Sequence, residues 1–144
     1  MPTLKKQYRL KIPSHKENLE LIRNFVSNIA RKVGFNNDDV NKIELAVDEA
    51  CTNVIEHAYK HNEKYDINIA IKIDYQKLTI IITDRGKSFN PKDIELPEME
   101  SYLAELRVGG LGIYLMKTLM DKVEYRSKAR GENEVRMIKY FLKK

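Results

Sequence analysis

At 144 residues the chain has the size of one domain, roughly 100–200 residues, with room for a single core. Its 33% charged and 42% apolar residues exclude a disordered or fibrous chain, and its single cysteine, Cys51, excludes a disulfide-stapled secreted scaffold. The net charge of +5 and pI near 9.2 suggest a polyanion partner, but the charge is polarised: residues 1–35 carry eight basic and two acidic side chains, 36–74 four and nine, 75–110 five and six, and 111–144 nine and four.

In chain order, Tyr8, Leu10 and Ile12 alternate with Arg9 and Lys11, which predicts a half-buried strand stopped by Pro13. Ser14-His15-Lys16-Glu17 has the form of a capping box, with Ser14 as the cap. The helix that should follow carries Leu19, Ile22, Val26, Ile29 and Val33 on one face and stops at Gly34. Asn36-Asn37-Asp38-Asp39 introduces a second helix with the stripe Val40, Ile43, Val47, Ala50 or Cys51, Val54 and Ala58, running to about His57–His61. From Ile67 the period becomes two through Ile73, and the β-branched run Leu78–Thr83 reads as a central strand ending at Asp84-Arg85-Gly86. Residues 87–108, with Pro91 and Pro97 and no periodicity, form the longest irregular stretch, of the kind used as lids. A third helix should open after Gly109-Gly110-Leu111-Gly112 and turn Ile113, Met116, Leu119, Met120 and Val123 inward. Two strands, Glu124–Lys128 and Val135–Leu142, close the chain. The order predicts an α+β fold, a two-layer α/β sandwich with one mixed, mostly antiparallel sheet covered by three helices.

Two familiar nucleotide signatures fail. Gly86-Lys87-Ser88 lacks the earlier P-loop glycine, since position 81 is Ile, and Gly110-x-Gly112 lacks the third dinucleotide glycine, since position 115 is Leu. His57 and His61 have metal-ligand spacing but no third ligand nearby, and read as exposed helix residues. Cys51 reads as a small buried hydrophobe. Three other features converge on one ligand. Glu49 and Asn53, four residues apart, share a helix face, where a carboxylate and an amide can polarise a hydroxyl and complete an oxygen-rich magnesium shell. Asp84 ends a buried strand and can accept the exocyclic amine of adenine, with Gly86 allowing close backbone approach. Gly109-Gly110-Leu111-Gly112 opens a helix, where unpaired amides make an anion site. Alone, each has an ordinary explanation: a solvated face, an Asp-x-Gly turn, a hinge. Their conjunction points to a nucleotide.

These residues carry a family resemblance. Glu44–Tyr59, with Glu49-Ala-Cys-Thr-Asn53, resembles the N-box of the GHKL superfamily (gyrase, histidine kinase, MutL), whose ATPase domain has the Bergerat fold. Thr83–Pro91 resembles its first glycine box and Arg107–Asp121 its second. The wording Glu-Ala-Cys-Thr-Asn, Ser-Phe-Asn-Pro and Gly-Gly-Leu-Gly-Ile-Tyr-Leu-Met is most similar to the stand-alone bacterial anti-sigma-factor serine/threonine kinases of the sigma-B type. The resemblance implies ATP and Mg²⁺ as cofactors, Glu49 as general base toward an attacking serine and Asn53 as the magnesium ligand. It implies that Asp84 reads adenine, that Gly86 lines its pocket, that Gly109, Gly110, Leu111 and Gly112 serve the phosphates, and that Arg107 reaches the γ-phosphate. Residues 87–108 would be the ATP lid of a single domain spanning 1–144.

The chain departs from the family in the last hairpin, where Gly131-Glu132-Asn133-Glu134-Val135 stands in place of a threonine that commonly touches phosphate. There Asn133 can substitute by hydrogen bonding, whereas Glu134 would repel a triphosphate if it faced inward. The implied function is phosphorylation of an anti-anti-sigma antagonist protein and sequestration of a sigma factor by a cytoplasmic homodimer, in transcriptional stress control. A non-catalytic ATP-dependent partner switch is the alternative, against which the presence of both Glu49 and Asn53 argues. A nucleic-acid-binding domain rests only on Lys139-Tyr140-Phe141 and Tyr8-Arg9. Neither direct nucleic-acid contact nor membrane contact is expected. No stretch nears the roughly 18 apolar residues of a span, and no signal peptide opens the chain.

Overall fold

The computed structural model describes residues 6–58, 65–85, 116–128 and 132–141. Strand β1 (Lys6–Pro13) pairs with β2 (Asp66–Ile73), and β2 with β3 (Lys77–Asp84). The β2–β3 turn is held by Asp74, whose Oδ1 accepts the amides of Gln76 and Lys77 at 2.7 and 3.0 Å, an Asx-type closure. Strand β5 (Glu132–Tyr140) pairs with β3 on one side and with β4 (Lys122–Lys128) on the other. The order is therefore β1-β2-β3-β5-β4, and every described pairing is antiparallel. The mostly antiparallel character expected is present, but no parallel pair of the expected mixed sheet occurs among the described strands. β3 is its central strand, and its residues Leu78–Ile82 are buried on both faces, as the unbroken run implied.

Helix α1 (Leu19–Lys32) starts differently from expectation. Ser14 does not cap it: the Ser14 amide donates to the Tyr65 carbonyl at 2.9 Å, which ties Ser14, wholly buried, to the residue just before β2. One residue later, His15 Nδ1 accepts the Glu17 amide at 3.0 Å and caps a short 3₁₀ turn, Lys16–Asn18, ahead of α1. The stop is as read. Gly34 sits at φ +108°, its amide bonds to the Arg31 carbonyl and that of Phe35 to Ala30, a Schellman closure that needs the left-handed backbone glycine tolerates.

Helix α2 (Asn37–Asn53) is capped by Asn36, whose side chain accepts the Asp39 amide at 2.8 Å. The predicted continuation to His57–His61 is corrected: α-geometry ends at Asn53, and Val54–Ala58 forms a wider π turn. The ring of His57 and all of His61 lie outside the described residues. Of the third helix, residues 116–119 are described and helical, with Met116 and Met120 buried; Ile113 lies outside the described residues. Val123 belongs to β4, not to that helix, because Lys122 already pairs with Ile138. The last strand begins at Glu132, three residues earlier than predicted, since Glu132 and Asn133 pair with Lys128 and Ser127.

One core joins the layers: Ile22, Val26 and Ile29 of α1 and Val40, Ile43, Val47 and Ala50 of α2 pack with Ile69, Ile71, Ile80, Ile82, Val135 and Met137 of the sheet. Cys51 is fully buried there, and desolvation drives its thiol far above the ordinary range, so it is an inert apolar residue. Lys139 also faces the helix layer, donating to the Leu119 carbonyl at 3.0 Å, and Phe141 stacks on Phe35 with ring centroids 4.7 Å apart. Lys139 and Phe141 are thus engaged within the fold while Tyr140 is exposed, which weakens the support that this run gives to a nucleic-acid surface.

Candidate active site

The described part of the site has two groups of side chains. The first is on α2. Glu49 and Asn53 lie one helical turn apart, beside the buried Ala46, Val47, Ala50 and Cys51, and both are half-buried. Burial raises the Glu49 carboxyl above its ordinary value, and the negative charges of Asp48 and Glu56 raise it further. A carboxylate lifted this way holds a proton more firmly, the property a general base needs. Asn53 is the last α-helical residue before the π turn Val54–Ala58, a distortion that recurs at functional sites.

The second group is built by sheet register. Asp84 ends β3 and lies opposite Asn133 of β5. Both follow the alternation Ile80, Ile82, Asp84 and Met137, Val135, Asn133, which puts them on the helix-covered face beyond the apolar core. Asp84 is 7% exposed, and Asn133 Nδ2 donates to its Oδ1 at 3.1 Å. A buried carboxylate needs such donors to remain ionised. A carboxylate and an amide side by side present both acceptors and donors, the pattern required to read the edge of a purine base.

Register also decides what Glu134 does. It pairs with Thr83, so it is on the opposite face from Asp84; it is 6% exposed, with its Oε2 3.4 Å from Arg136. The inward carboxylate that would repel a triphosphate is not present at this position. Asn133, read from the sequence as a possible phosphate contact, is hydrogen-bonded to Asp84. Extending the alternation Val135, Met137, Lys139 back by two would have found it; ending the strand at Val135 hid it.

Gly86, Arg107, Gly109, Gly110, Leu111, Gly112 and the lid 87–108 lie outside the described residues. Among the described residues no three His, Cys, Asp or Glu side chains converge on a metal position, and no helix is long and apolar enough to cross a membrane.

Comparison with known proteins fits this geometry. The model of the histidine kinase-like ATPase domain family matches residues 12–139. The chain belongs to that family. Serine-protein kinase RsbW of Bacillus velezensis is 37% identical over 122 residues, covering 82% of this chain and 76% of the relative. RsbW of Bacillus subtilis is 36% identical with the same coverage, so within the family the chain groups with the RsbW serine-protein kinases. Two solved structures share the fold. One contains the RsbU and RsbW domains of Rv1364c from Mycobacterium tuberculosis (TM-score 0.67, 14% identity, 93% of this chain and 32% of that one). The other is the SiaB–SiaC complex from Pseudomonas aeruginosa (TM-score 0.64, 13% identity, 91% and 88%). A member of this ATPase family uses ATP, and the donor set suits it: a buried carboxylate with an amide for the base, and a carboxylate and an amide on α2 for the phosphate end.

Proposed function

We propose that the chain is a protein serine kinase and anti-sigma factor that transfers the γ-phosphoryl group of ATP to a serine of an anti-anti-sigma antagonist and otherwise sequesters a sigma factor. The observation that carries the reading is the pairing on one turn of α2 of Glu49, whose proton affinity is raised, with Asn53, in a chain similar to serine-protein kinases over most of its length. ATP with Mg²⁺ supplies the transferable phosphoryl group and the charge neutralisation that such transfers require. Asn53 would hold the metal with its amide oxygen, the remaining ligands being phosphate oxygens and water.

Asp84 would accept the adenine amine, oriented by the amide of Asn133. Gly86 would let the backbone approach the base, and Gly109, Gly110, Leu111 and Gly112 would offer backbone amides to the phosphates. Arg107, at the end of the lid 87–108, would meet the γ-phosphate. Glu49 would take the proton of the serine hydroxyl as its oxygen becomes the nucleophile, then release it to solvent. Residues 1–144 would act as one domain, as a homodimer in the cytoplasm.

The test incubates the protein with γ-labelled ATP, Mg²⁺ and a candidate anti-anti-sigma protein. Labelled phosphoserine with wild type and its loss in Glu49→Ala is the expected result. Undiminished labelling with Glu49→Ala sinks the assignment of the base, and sedimentation velocity checks the dimer.

A further inference from the structure

Two polar ties link α1 to α2, and they have the same spacing on both helices. Arg23 Nη1 donates to Asp48 Oδ1 at 2.7 Å, and one turn away the Ser27 hydroxyl donates to the Glu44 carboxylate. Arg23 and Ser27 are four apart on α1, and Glu44 and Asp48 four apart on α2, so the antiparallel helices are joined by two rungs on one line. Two rungs fix both the rotation of a helix about its axis and its slide along a neighbour, where one rung fixes neither. Around Glu49 the buried stripe of α2 includes Ala46, Ala50 and Cys51, small side chains that make shallow ridges, so the polar rungs add to what apolar packing sets there. Glu49 follows Asp48 directly, about 100° further round the helix. No hydrogen bond from a described side chain restrains its carboxylate, so its direction is inherited from the helix that carries it.

We propose that Arg23 is a positioning residue for phosphotransfer: by holding Asp48, with Ser27 on Glu44 as the second rung, it sets the phase of α2 and aims Glu49 at the acceptor hydroxyl. This rests on Glu49 being the base. The arrangement also separates two adjacent carboxylates by task, Asp48 held by the neighbouring helix and Glu49 left for chemistry. The Arg23 guanidinium, in turn, is held firmly charged, its pKa raised chiefly by its bond to Asp48.

The test measures steady-state phosphorylation of an antagonist protein that the wild type modifies, for Arg23→Gln, Asp48→Asn, the double variant and Arg23→Lys. A misplaced base is costly, about a hundredfold for a displacement near 1 Å, so a loosened helix should lower kcat about tenfold. The KM values for ATP and antagonist should stay within about twofold. The double variant should be no slower than either single one, because both remove the same rung, and Arg23→Lys, which keeps the charge and one donor, should recover most of the rate. Additive losses, or kcat within about twofold of wild type in both single variants, overturn the proposal. So does a raised KM for the antagonist at unchanged kcat, which would place Arg23, whose side chain is 34% exposed, in contact with the partner instead. The underlying reading fails separately, before any Arg23 variant is made, if the wild type forms no phosphoserine or Glu49→Ala retains turnover; Arg23 then has no base to position.

Discussion

The two halves of the site are built on different principles. Glu49 and Asn53 stand on consecutive turns of one helix, half-buried, with their geometry fixed by seventeen residues of continuous chain. Asp84 and Asn133 are 49 residues apart and meet only because β3 and β5 pair in one particular register. The helix half carries a charge under strain, a carboxyl raised by burial and by like-charged neighbours. The sheet half carries a buried carboxyl group that accepts an amide hydrogen bond. The proposed function assigns chemistry to the group whose ionisation is perturbed and recognition to the buried, hydrogen-bonded carboxylate.

Removing the charge from each half should therefore fail in different observables. Glu49→Ala should lower phosphotransfer about 10²–10⁴-fold, the usual contribution of a positioned general base, while ATP affinity measured by calorimetry changes less than about threefold. Asp84→Asn should do the reverse. Exchanging a buried acceptor for a group that places a donor against the adenine amine costs about 1–3 kcal/mol, so the dissociation constant for ATP should rise roughly 10–100-fold. Saturating ATP should restore most of the turnover. If both variants lost affinity and turnover together, the division between the halves would be wrong.

Asn133→Ala sharpens the sheet half. It removes one hydrogen bond to a buried carboxylate, worth about 1.5 kcal/mol for a charged acceptor, and should weaken ATP binding roughly tenfold without touching kcat. Guanosine nucleotides give a second readout, since Asn133 and Asp84 together present the donor and acceptor pattern: selectivity for ATP over GTP should fall in Asn133→Ala. Unchanged affinity and selectivity would leave Asn133 a purely structural neighbour of Asp84.

How far each half was legible follows from the same contrast. Helical spacing is local, so Glu49 and Asn53 could be placed on one face from four residues of separation, and the β-branched run of β3 announced a central strand ending at Asp84. Asn133 could not be assigned its partner, because register between strands is set by pairing across the sheet, and a start at Val135 instead of Glu132 removed the residue from the strand altogether. The same error left Glu134 facing an undetermined side, though a shift of one residue reverses every face. Ser14 misled for a related reason: the capping-box pattern was present, but a long-range bond from its amide to Tyr65 outweighed it. The Arg23–Asp48 pair joins residues 25 apart on different helices and left no signal that spacing could show.

The smallest expected effect tests the strain on the helix half directly. The folded-state pKa of Glu49 is raised above the 4.5 of an unperturbed glutamate, so between those two values the native state binds more protons than the unfolded chain. Its contribution to stability is therefore present at pH below the unfolded pKa and is lost as pH rises through the folded one. Once ionised, Glu49 opposes folding, and at pH 8 Glu49→Gln, which keeps the shape and removes the charge, should raise the melting temperature by about a degree or two, the usual scale of a surface substitution. At pH 4, where the folded-state carboxyl is already protonated, the same substitution should change it little. The kinase rate should trace the complementary curve: activity should fall as pH drops, with a midpoint above the ordinary glutamate range, because the base must be unprotonated to accept the serine proton. A Glu49→Gln protein less stable than wild type at pH 8 would mean that the carboxylate is held by favourable contacts and carries no strain, and the contrast drawn between the helix half and the sheet half would fail at its source.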